Sequence, residues 1–97
     1  MERISNKNCR EYVEAKKDFK GNNLYGINLN GLYVVYSYGS HFPLYVFIND
    51  TKKWYENIDK CSSSTSKHKS QSRPLNGEVI FKEDTKFLRS LIYSLQF

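Results

Sequence analysis

Residues 22–49 contain no Asp, Glu, Lys or Arg, in a chain of 97 residues of which 26% are charged. An uncharged stretch of that length, alternating aliphatic and aromatic side chains, fits the centre of a β-sheet. Its densest part is residues 32–49, LYVVYSYGSHFPLYVFIN. With a period of two, Leu32, Val34, Tyr36 and Tyr38 fall on one face of a first strand, and Tyr33, Val35 and Ser37 on the other. After a turn at residues 39–43, a second strand places Leu44, Val46 and Ile48 opposite Tyr45, Phe47 and Asn49. Both faces are therefore apolar. Either the chain's own helices cover the second face, or it stands open as an aromatic binding platform.

The flanking sequence extends this pair into a sheet. Residues 24–29 read as a strand joined to 32–38 by Asn30-Gly31, a hairpin signal for a type I′ turn. Residues 53–58, KWYENI, predict a fourth strand carrying the single tryptophan, Trp54, and residues 78–82, EVIFK, a fifth. Apolar residues Cys9, Tyr12, Val13 and Phe19 predict an N-terminal helix over 6–20 that stops at Gly21. Phe87, Leu88, Leu91, Ile92 and Leu95 recur at helical spacing behind Asp84 as N-cap, predicting a helix over 85–95 that packs on the aliphatic face of the sheet. The expected fold is α+β: an antiparallel meander of four to five strands with an N-terminal and a C-terminal helix. The length accommodates one domain, residues 1–97.

Fifteen Lys and Arg against ten Asp and Glu give a net charge of +5, a lean towards polyanions or an acidic protein surface. Eight tyrosines and six phenylalanines favour sheets and binding faces. The opening Met1-Glu2-Arg3-Ile4-Ser5 runs straight into polar residues, and no apolar run is long enough to span a bilayer, so a cytoplasmic protein without membrane association is expected. Cys9 and Cys61 are far apart and lack a CxxC partner, which suits reduced thiols. With only two histidines and no close ligand pair, neither a metal site nor a cofactor is expected.

Residues 61–74, CSSSTSKHKSQSRP, hold six serines, Lys67, His68, Lys69, Gln71 and Arg73, and no acid. By composition residues 61–76 read as a polar loop, either solvated and inert or a set of donors for phosphates or carboxylates.

The succession YVVYSYGSHFPLYVF, then Trp54 and Asn57, then STSKHKSQ resembles a family of small bacteriophage and prophage proteins with a VVYSYGxHxPLYV strand pair followed by a tryptophan and a TTSKHxSQ segment. The match covers about half the chain, with Ser64 where threonine is expected and Cys61 where an aromatic is commoner. The family implies no settled activity. It does imply that the Ser-Lys-His segment is more than a linker, and that it pairs with His41 in one surface. On that expectation Tyr36, Tyr38, His41 and Trp54 supply stacking area, and Lys67, His68, Lys69, Gln71 and Arg73 supply donors. Such a surface suits an inhibitor of a bacterial defence effector, in the manner of an anti-CRISPR protein, which binds a host nucleic-acid-handling protein or nucleoprotein complex in the bacterial cytoplasm. It equally suits direct binding of single-stranded nucleic acid. A third reading makes His41 and His68 the general base and acid of a metal-free ribonuclease. Binding is expected rather than turnover, and the oligomeric state is not legible.

Overall fold

The computed structural model describes residues 2–39, 42–74 and 80–96. Its strands are β1 (Glu2–Arg3), β2 (Phe19–Lys20), β3 (Leu24–Leu29), β4 (Leu32–Ser37), β5 (Pro43–Ile48), β6 (Lys53–Asn57) and β7 (Ile80–Glu83). Helices α1 (Cys9–Glu14), preceded by a 3-10 turn at Asn6–Asn8, α2 (Ser63–Ser72) and α3 (Thr85–Gln96) complete it. The seven strands form one sheet in sequence order. The α+β class and the inner β3-β4-β5-β6 meander match the expectation, but the sheet is mixed, because β1 pairs β2 and β6 pairs β7 in parallel.

Those parallel pairs explain where the helices lie. A parallel pair needs a crossover, here α1 between β1 and β2 and α2 between β6 and β7. Four antiparallel steps separate β2 from β6, so β1 and β6 run in the same direction, and both crossovers step the same way across the sheet. Crossovers of one hand then land on one face. Cys9 and Val13 of α1 accordingly pack with Phe19, Tyr33, Val35, Tyr45, Phe47 and Trp54. On the opposite face Leu88, Leu91 and Ile92 of α3 cover Leu32, Val34, Tyr36 and Val46. The apolar faces of the central strands are thus covered from both sides, and the open aromatic platform does not form.

Local chemistry accounts for the departures. The N-terminal helix ends at Glu14 rather than residue 20 because Lys16 turns left-handed (φ 54°). Lys16 N donates to Val13 O and Lys17 N to Tyr12 O, the paired bonds of a Schellman end with Lys in the place usually taken by Gly. The freed residues Phe19 and Lys20 join the sheet. At the hairpin only Gly31 has positive φ (84°), so the turn follows the type II pattern rather than type I′. Between β4 and β5 the register passes from Val35 opposite Tyr45 to Tyr36 opposite Pro43, leaving Leu44 as a bulge residue. The bulge moves Leu44 off the face of Val46 to join Tyr45 and Phe47, and it admits Pro43, which has no N–H to give, into a central strand. Asn57 Nδ2 donates to the Pro43 carbonyl at 2.8 Å.

Asp84 caps α3 as expected, accepting from Phe87 N at 2.8 Å. The buried stripe is narrower than the spacing predicts. Phe87 and Leu95 remain 43% and 42% exposed, and Phe87 stacks instead near Tyr55, 6.1 Å between ring centroids. Of the strand expected over 78–82, residues 80–83 form β7 and residues 78–79 lie outside the described residues. Among the described residues no helix is long and apolar enough to cross a membrane.

Candidate binding cleft

The segment expected as a polar loop is a helix. Ser62 caps it, accepting from Thr65 N at 3.2 Å, and ten residues of α2 follow. Its buried positions are Thr65, His68 and Ser72, a stripe at helical spacing with no apolar residue. Hydrophobic periodicity is blind to such a stripe, hence the loop expectation.

Hydrogen bonds hold α2 where apolar packing usually would. On its buried stripe Ser37 Oγ of β4 bonds His68 Nδ1 at 2.9 Å and Thr65 Oγ1 at 3.2 Å. At the helix end, carbonyls that find no intrahelical partner meet donors from other elements. Tyr45 OH donates to Lys69 O at 2.9 Å, Arg10 Nη2 to Ser70 O at 2.6 Å, and Cys9 Sγ to Gln71 O at 3.4 Å. Arg10 Nε adds a bond to Arg73 O at 3.0 Å, and its charge suits the negative end of the helix. Beneath the helix, buried Glu56 of β6 receives Lys69 Nζ at 3.0 Å and Arg73 Nη1 at 2.8 Å. Burial would push the Glu56 carboxyl up, but the hydrogen bonds and charges of Lys69 and Arg73 outweigh it and hold Glu56 below its usual range.

The exposed side of α2 forms one wall of a cleft of about 580 Å³. Ser64, Lys67, His68 and Gln71 contribute from the helix, and Tyr38 from the end of β4. The 3-10 turn with its Lys7, and Asn22-Asn23 between β2 and β3, close the other side. These two walls are tied together, since Asn6 Nδ2 donates to Asn22 O at 3.0 Å and Asn22 N to Asn6 Oδ1 at 2.7 Å. Among the described residues the only charged ones on the cleft are Lys7 and Lys67. His68 is 8% exposed, and burial followed by the nearby Lys67 charge lowers its pKa, so the ring is neutral at pH 7. The Tyr38 ring lies 5.6 Å from that of His68 and is 52% exposed.

The nine sequence-predicted residues therefore separate into groups. Tyr38, Lys67, His68 and Gln71 meet in the cleft. Trp54 has no exposed surface and Tyr36 only 9%, on opposite faces of the sheet, so neither stacks a ligand. Lys69 and Arg73 are committed to Glu56. His41 lies outside the described residues, and with it the geometry of a His41–His68 pair. Ser37, bonded to His68, is 1% exposed and is no accessible nucleophile. Sequence reasoning missed Lys7 and the Asn6, Asn22 and Asn23 amides. No local pattern links residue 7 to residue 67.

The arrangement defines a class: a small α+β sheet domain, helices on both faces, with a polar cleft, lined by no acid among the described residues, beside a hydrogen-bonded helix. No known protein family, curated protein or solved structure matches the chain. Among the described residues no cluster of three His, Cys, Asp or Glu is placed to hold a metal ion.

Proposed function

We propose that this protein acts by binding single-stranded nucleic acid, free or within a nucleoprotein complex, through the cleft beside α2. The observation that carries this reading is the cleft's composition: two lysines, neutral amides and hydroxyls, one exposed aromatic ring and, among the described residues, no carboxylate to repel phosphate. The contact surface is smaller than the sequence implied, because Trp54 and Tyr36 are structural and Lys69 and Arg73 are both ion-paired with Glu56. The biological role that the sequence resemblance suggests is that of a phage-encoded protein acting in the bacterial cytoplasm on a host defence effector that handles nucleic acid, in the manner of an anti-CRISPR protein.

A gel-shift series with labelled single- and double-stranded RNA and DNA tests the reading. Two phosphate contacts, one from each lysine, give a single-strand salt slope of about −1.4, hence about a sevenfold loss of affinity between about 50 and about 200 mM salt. Lys7→Ala with Lys67→Ala should flatten that slope, whereas Lys69→Ala should leave it unchanged. Unshifted label at low salt refutes nucleic-acid binding and leaves an acidic protein surface as the partner. Label shortened on long incubation would replace binding with cleavage.

A further inference from the structure

We infer that the cleft is a subsite for a single nucleotide unit, its base stacked on the open face of Tyr38 and bonded to Gln71, its phosphate held by Lys7 and Lys67. This rests on the nucleic-acid reading and specifies what the cleft recognises.

Three observations converge. Tyr38 and Asn23 both adopt left-handed backbone (φ 68° and 57°), and Tyr38 N donates to Asn23 O at 2.9 Å. For a tyrosine this conformation is strained, and strain of this kind gathers where a side chain must be held for use. Here it holds a large ring, half exposed, at the cleft. One side of the ring meets His68, itself hydrogen-bonded to Ser37. Second, Gln71 lines this cleft, and its Oε1 atom is buried without a hydrogen-bond partner among the described residues. A buried acceptor left unpaired costs stability, and the N–H of a base is a donor that can satisfy it. Third, the volume of about 580 Å³ falls in the range of small-ligand sites, and both of its charges are cationic. A stacking ring, an unpaired acceptor and two ammonium groups together match base and phosphate in one ligand. A phosphate alone leaves Gln71 and Tyr38 unused.

The experiment is an NMR and fluorescence titration of the full chain with the four nucleoside 5′-monophosphates, nucleosides and inorganic phosphate, repeated on Tyr38→Gly and Gln71→Leu. A monophosphate is expected to bind more tightly than its nucleoside or phosphate and to move the Tyr38, His68 and Gln71 signals. Tyr38→Gly should weaken it by about tenfold or more, from the lost stacking, while relieving backbone strain. Gln71→Leu should weaken it by about tenfold, yet leave the thermal midpoint unchanged or raised, because an unpaired buried polar atom is removed. A purely structural Gln71 would do the reverse. If inorganic phosphate binds as well as any nucleotide, or if both variants bind nucleotide normally, the inference is overturned. Oligonucleotides that shift in a lysine-dependent way while no monophosphate touches the cleft would overturn the subsite and keep the proposed function. Binding of neither, with capture of an acidic protein instead, overturns both.

Discussion

Glu56→Gln is the most direct perturbation of the way α2 is held. The Glu56 side chain is 8% exposed and accepts from Lys69 Nζ at 3.0 Å and Arg73 Nη1 at 2.8 Å. Hydrogen bonds to charged groups contribute roughly 1.5–3 kcal/mol each, and rupture of a fully buried pair costs about 3–5 kcal/mol. Lys69 and Arg73, however, keep 22% and 40% of their side-chain surface in water, so they rehydrate when the carboxylate is lost, which moves the cost towards the ~1 kcal/mol of a surface pair. Glutamine preserves the shape and one acceptor. The expected loss is about 2 kcal/mol, or about thirtyfold in the equilibrium between docked and released helix. Native-state hydrogen exchange reads this directly: amides in the C-terminal half of α2 should exchange about thirty times faster, while β4 and β5 change only by the global destabilisation. Urea unfolding followed by the single tryptophan should show a lower midpoint at unchanged slope. A loss below about 0.5 kcal/mol with unaltered α2 protection would refute the electrostatic anchor and leave the contacts from Ser37, Tyr45, Arg10 and Cys9 to hold the helix.

Two further outcomes follow from the same geometry. Stability should fall as pH drops, in two stages: His68 has a lowered pKa in the folded chain, so the unfolded chain gains the extra proton once pH passes below about 6.5, and Glu56, also lowered, withdraws its contribution as pH falls through its folded value below about 4.5. Urea midpoints from about pH 8 to about pH 3 check this, and a flat profile between about pH 7 and about pH 5 would remove His68 from the account. Gly26→Ala should destabilise by about 1–3 kcal/mol and lower the thermal midpoint by roughly 10 °C, since a Cβ there runs into the Tyr33 hydroxyl and the Phe19 ring, both buried; an unchanged midpoint would mean that those rings yield freely.

The cleft shows how a site can be half legible. Ser64, Lys67, His68 and Gln71 stand on one side of a helix at i, i+3, i+4 and i+7, so their convergence follows once the segment is known to be helical. Their composition argued against a helix, because serine favours caps and turns and no apolar stripe marks a buried side. What makes the helix is remote: Ser37, Tyr45, Cys9, Arg10 and Glu56 each satisfy a group of α2, at separations of up to 63 residues.

From the sequence by itself came the inner meander and the cap and inward stripe of α3. Each of these is written in a local period, of two or of 3.6, or in a capping residue beside it. Tertiary structure alone decided the rest. The parallel edge strands arise because α1 ends early at Lys16 and because α2 is a crossover. The Leu44 bulge reassigns a side chain between faces, Trp54 and Tyr36 turn from ligand platform into core, and Glu56 takes two of the predicted donors out of use. All of these depend on which groups are desolvated together, and desolvation is a property of the packed molecule that no short stretch of its sequence carries.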